Sequence, residues 1–169
     1  MEHPVEHLPA FMGDTAVGLG ETHDNPGARN ALVNWILDDA VTDIVLELGG
    51  FEGAELHTAE FQQAIGMIDT HWGNPISFTF LVQLALDRGI NVHCWDPAYH
   101  GANAVQHRNQ DVAARFRQHF SPDNPPHAAQ AARHTVVLFG AEHFGDQGQS
   151  LNNLLPGLQW ANLGAWEHP

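Results

Sequence analysis

Four places in this 169-residue sequence set carboxylates and imidazoles where they could act on one substrate. Glu21 and His23 stand two residues apart in Gly20-Glu21-Thr22-His23-Asp24-Asn25-Pro26, directly after Val17-Gly18-Leu19. Glu47 closes the run Asp43-Ile44-Val45-Leu46 ahead of Gly49-Gly50, Asp96 follows Cys94-Trp95, and His143 follows Leu138-Phe139-Gly140-Ala141-Glu142. Two carboxylates and two imidazoles around one bond support general acid–base hydrolysis. One carboxylate, its pKa raised by burial beside the other, takes a proton from water, while an imidazole positions that water or protonates the leaving group. Glu47 is read as the base and Glu21 as the group that holds a histidine's tautomer, although exchanging the two Glu fits the sequence equally. His143 and His23 then serve as acid and oxyanion stabiliser, with Arg108 as a second stabiliser and Asp96 and Tyr99 beside the substrate. The same Glu21, His23, Glu47 and His143 would also satisfy Zn²⁺ or Mn²⁺ with a position open for water. A non-enzymatic alternative is haem or iron binding through a His or through Tyr99.

Groups this far apart in sequence meet only if the fold delivers them to one rim. Residues 15–19, 43–48, 90–95, 135–139 and 158–163 read as strands, because each is a short apolar run bounded by Gly, Pro or polar punctuation. Helical spacing recurs between them. Asn25-Pro26 is a cap with proline at the first helical position, followed by a face of Ala28, Leu32, Trp35 and Ile36. Residues 54–65 form a second helix, and 66–73 an irregular connection carrying His71 and Trp72. Asn74-Pro75 opens a third, with Phe78, Leu81, Val82 and Ala85 inward; residues 102–120 form a fourth, with Val105, Val112, Phe116 and Phe120 on one face. A Pro-rich turn at 121–126 and a small Ala-rich helix precede the fourth strand, and 149–155 is a short helix. The order predicts an α/β fold over residues 1–169: a three-layer domain with a mainly parallel, twisted sheet of about five strands and helices on both faces. In such a sheet ligands collect outside the carboxyl ends of the strands, where Glu21, His23, Glu47, Asp96 and His143 all fall.

Composition narrows the partners. Six Arg and no Lys stand against 20 acidic residues, for a formal charge of −14. That disfavours nucleic acid and anionic membrane surfaces and attracts substrates with cationic character. The 13 His soften the charge below about pH 6.5. The absence of Lys fits either a coding bias or a translocated effector that offers no ubiquitin acceptor. No run has the length of a membrane span and residues 1–13 read as a lead-in without signal-peptide pattern, so the expected location is the cytoplasm or, for an effector, another cell. A single Cys, Cys94, excludes an internal disulfide and sits within a strand as a core residue rather than a nucleophile. His93 reads as a core or interface position, and His57, His107, His119, His127 and His134 as solvated. Neither a phosphate-binding Gly-rich loop nor a Gly-x-Ser-x-Gly elbow is present.

Gly20-Glu21-Thr22-His23-Asp24-Asn25-Pro26 resembles the Gly-Glu-x-His-Asp-Asn-Pro motif of the ChaN-like haem-binding uptake proteins. Their superfamily also holds the Tiki proteases, the erythromycin esterases and a Ras-cleaving endopeptidase domain of bacterial toxins. Glu47, the pair Arg108-Asn109, and Gly140-Ala141-Glu142-His143-Phe144-Gly145 with Ser150-Leu151 resemble its later landmarks in the same order. The resemblance spans residues 15–155 and implies a site made of Glu21, His23, Glu47 and His143. Its members imply different chemistries: metal-free peptide cleavage, metal-dependent peptide cleavage, attack of water on an ester, or haem binding.

Overall fold

The computed structural model describes residues 16–97, 99–120 and 134–163. Its strands are β1 Val17–Glu21, β2 Asp43–Leu46, β3 Asn91–Cys94, β4 Thr135–Gly140 and β5 Gln159–Leu163. All pair in parallel, in the order β3-β2-β4-β1-β5. The helices are α1 Gly27–Leu37, α2 Ala59–Trp72, α3 Phe78–Asp87, α4 Ala104–His119 and α5 Leu151–Leu154, with 3₁₀ turns at Gly53–His57 and Ala141–His143. This is the three-layer α/β architecture expected from the alternation of apolar runs. The lead-in 1–13, Thr15, the turn and small helix at 121–133 with His127, and the end at Trp166 lie outside the described residues.

Side chains alternate across a strand, so the central strands β2 and β4 feed two cores. Ile44 and Leu46 of β2, Val136 and Leu138 of β4 and Val17 and Leu19 of β1 pack with α1, α2 and α3. Val45, Val137 and Phe139 point the other way, onto Val112 and Ala113 of α4 and Leu151 of α5. That alternation decides how the carboxylates reach the rim. Glu21 continues the parity of Leu19 and approaches from the α1 side, whereas Glu47 continues that of Val45 and approaches from the α4 side.

Several boundaries differ from expectation, each for a local reason. β1 runs on through Glu21, which is a buried strand residue and not part of the loop. β2 ends at Leu46, although the Glu47 N–H still donates to the Leu138 carbonyl at 3.3 Å. Residues 66–73 are helical rather than irregular: α2 absorbs Gly66, at about 1 kcal/mol relative to Ala, and stops at Gly73, whose φ of 65° supplies the left-handed cap. Asn74-Pro75 does not cap α3. Ser77 does, and Asp69 takes the Phe78 and Thr79 N–H groups at 2.6 and 3.0 Å. No helix among the described residues is long and apolar enough to cross a membrane.

Candidate active site

The deepest anchor is an ion pair that sequence reading missed. Arg29, on the inward face of α1, is 0% exposed, and Glu21 at the end of β1 is 2% exposed. Arg29 Nε donates to Glu21 Oε2 at 2.8 Å and Nη2 to Oε1 at 3.0 Å, a bidentate fork. Its Nη1 donates to the Ile76 carbonyl at 2.8 Å, and the guanidinium lies 3.7 Å over the Phe78 ring. One signal was legible: Arg29 shares the helical stripe of Ala28, Leu32 and Ile36, where a charge must find a partner.

Glu21 in turn orients His23. The His23 Nδ1 lies 2.9 Å from Glu21 Oε1, so Nδ1 carries a proton and Nε2 faces the cleft. That hydrogen bond, opposed by burial and helped by the charges of Glu47 and Glu21, holds the His23 pKa above its ordinary 6.5. Trp72, at the end of α2, packs its ring 4.3 Å from the imidazole. Asn74 fixes the loop from behind, its Nδ2 donating to the His23 and Asn25 carbonyls at 2.9 and 3.0 Å.

Glu47 stands on the opposite side of the rim. Its Oε1 accepts from Arg108 Nη2 and lies 3.1 Å from His143 Nε2, and its Oε2 accepts the Gly140 N–H at 2.6 Å. Burial alone would push the carboxyl up, but the hydrogen bond and charge of His143, the Gly140 N–H and Arg108 together lower it to about 2. The raised pKa expected of a general base at Glu47 is therefore reversed. Arg108 is itself clamped, with Nε 2.7 Å from Asp96 Oδ1 and Nη2 2.8 Å from Oδ2. Asp96 thus positions the guanidinium. Tyr99 lies at the rim, 43% exposed, its ring 4.9 Å from that of His107.

His143 reaches the site from behind and is 0% exposed. Asn109 Nδ2 donates to the Gln149 carbonyl at 2.9 Å, which turns its Oδ1 toward His143 Nδ1 at 2.5 Å. With Glu47 Oε1 on its other side, His143 has an oxygen facing each ring nitrogen. This histidine supports Glu47 and does not line the cleft, contrary to its expected role as an acid facing substrate.

The cleft is about 900 Å³, and His23, Glu47, Trp72, Tyr99, Arg108 and Glu142 are among its lining residues. Within it, His23 Nε2 and Glu47 Oε2 stand 4.0 Å apart. A Cβ added to Gly140 would lie 3.3 Å from the first and 3.2 Å from the second. The missing side chain of Gly140 therefore leaves a cradle touching both atoms. A water about 2.8 Å from each would subtend roughly a right angle there, a normal arrangement for an oxygen with two partners.

The donors do not surround a single ion in the set read from sequence. Glu21 gives both oxygens to Arg29, and among the described residues the one cleft group of three with ligand atoms all within 4.8 Å of one another is Glu47, Glu142 and His143. Those three could hold Zn²⁺ or Mn²⁺ only if Arg108 released Glu47 and His143 Nε2 gave up its hydrogen bond to Glu47. His143 does not fit an axial haem ligand, because both nitrogens are engaged beneath the surface. Cys94 is buried and burial pushes its thiol up to about 12, as expected of a core residue.

No protein-family model matches the chain, nor does any curated protein or solved structure.

Proposed function

We propose that this protein is a hydrolase of peptide or ester bonds in which His23 is the general base. The observation that carries this reading is the cradle at Gly140, bounded by an oriented imidazole nitrogen and an ionised carboxylate oxygen. Arg29 holds Glu21, Glu21 holds the His23 Nδ1 proton, and Nε2 takes a proton from the bound water. Glu47, ionised and immobile, accepts the water's other proton in a hydrogen bond and aims its lone pair. The resulting hydroxide attacks the carbonyl carbon, Arg108 stabilises the oxyanion, and His23 returns its proton to the leaving amine or alcohol. The resemblance to peptidases and esterases supports hydrolysis as the class of reaction. The absence of Lys from 169 residues agrees with an effector or toxin domain acting in another cell.

The test is turnover of a panel of fluorogenic peptides and nitrophenyl esters by wild type, His23→Ala and Gly140→Ala. His23→Ala should lose about 10²–10⁴-fold in kcat/KM. Gly140→Ala should lose activity with its circular dichroism unchanged, since the added methyl occupies the water position and the Gly140 φ of −53° suits any residue. Wild-type inertness across the panel, or full activity in His23→Ala, would sink the proposal.

A metal-dependent reading has one specific support, the convergence of Glu47, Glu142 and His143. It predicts that Glu142→Ala abolishes activity and that chelator does the same to wild type. The metal-free reading predicts that neither does.

A further inference from the structure

A second cluster lies beside a cavity that shares no lining residue with the cleft. Asp43 opens β2, His93 is the third residue of β3 and His119 closes α4. Asp43 is 1% exposed, and its Oδ1 lies 2.9 Å from His93 Nε2. The His93 and His119 rings stand 4.5 Å apart at 63°, close to edge-on. One ligand atom from each of the three residues lies within 4.8 Å of the others. A small cavity of about 290 Å³, lined by His93 and His119 together with Glu52, Asn91 and Trp95, opens beside them.

From this convergence we propose that Asp43, His93 and His119 form a binding site for a divalent transition-metal ion, with Zn²⁺ as the best match. Two imidazole nitrogens and one carboxylate oxygen are a donor set that zinc takes at about 2.0–2.2 Å, leaving a further position for water or for a group at the cavity mouth. Ligands at such bond lengths stand roughly 3.3 Å apart in a tetrahedron, so the observed spread needs only a small inward turn of an imidazole. The cluster also differs electrostatically from the one in the cleft. Arg108 sits on Glu47 there, whereas the only ion-pair partner of Asp43 among the described residues is His93.

Sequence geometry explains why these three meet. Asp43 and Val45 share the sheet face covered by α4, and His93 is in register with Val45 on the neighbouring strand. His119 follows Arg108 by eleven residues, about three turns, and so returns to the same side of α4. The expectation of a solvated His119 fails for this reason: the stripe that brings Arg108 to the cleft brings His119 onto the sheet.

The experiment is a titration of purified full-length protein with Zn²⁺, and with Co²⁺ as an optical probe, in a Glu142→Ala background that disables the cleft cluster. One equivalent should bind, Co²⁺ should show ligand-field bands of a low-symmetry site, and zinc at about a hundred times its Kd should raise Tm by about 5–10 °C. All three effects should vanish in His119→Ala and weaken strongly in His93→Ala. Failure of both ions to bind in the Glu142→Ala background overturns the site, as does an undiminished equivalent in His119→Ala. Asp43→Asn should weaken binding likewise; should it fail to fold, His119→Ala still decides, because that residue closes a helix and carries no ladder hydrogen bonds. Hydrolase activity plays no part in the readout, so the outcome is independent of the proposed reaction.

Discussion

In the proposed reaction His23 serves as base only while its Nε2 is unprotonated, and its pKa lies above 6.5 because Glu21 accepts from Nδ1. The kcat/KM profile should therefore rise with pH through a limb above 6.5. In Glu21→Gln the neutral amide holds the proton on His23 less firmly, and that limb should move to lower pH. Glu47 has the opposite sign. Its folded pKa of about 2 lies below the ordinary 4.5, so it stabilises the fold above pH 4.5 and that contribution is lost as pH falls toward 2. Acid unfolding followed by fluorescence should be steep across this window in wild type and flatter in Glu47→Gln. Arg29→Met, which strands a buried carboxylate, should cost about 3–5 kcal/mol in urea unfolding.

Strand ends and the glycines after them do most of the positioning. An added Cβ at Gly49 would come within 2.1 Å of the Asp96 carbonyl oxygen, so the chain leaving β2 touches the chain leaving β3 only because residue 49 has no side chain. Gly49→Ala should cost about 1–3 kcal/mol by overpacking. It should also loosen Arg108 from Asp96, visible as weaker substrate binding. This approach was legible from Gly49-Gly50 following a strand that ends in a carboxylate. The strands themselves were legible because buried parallel strands read as continuous apolar runs such as Ile44-Val45-Leu46. What could not be read was which face each group uses. Glu21, His23, Glu47 and His143 announce themselves by type, but the burial of His143, the clamp of Asp96 on Arg108 and the Arg29 fork depend on helices whose rotation is set by packing. The Asn74 contacts with the His23 loop span about fifty residues and leave no local trace.

The whole molecule carries a formal charge of −14, and Glu47, Asp96, Asp24 and Glu142, four of its acidic groups, line the cleft. Cationic peptides should therefore be steered inward. Their kcat/KM should fall as ionic strength rises from about 0.01 to 0.15 M, where the Debye length shrinks from about 30 to 8 Å. A neutral ester of similar size should show little change. Equal salt dependence for both would mean that the field does not reach the entrance.

Because α4 places Arg108 over one end of the sheet and His119 over the other, it works as a ruler whose markings are angular as well as linear. Inserting a single residue near Ala114 would turn one half against the other by about 100° and lengthen the span by about 1.5 Å. Packing could then keep either the Arg108 guanidinium or the distal imidazole in place, so the segment between them should tolerate changes of residue type better than changes of length.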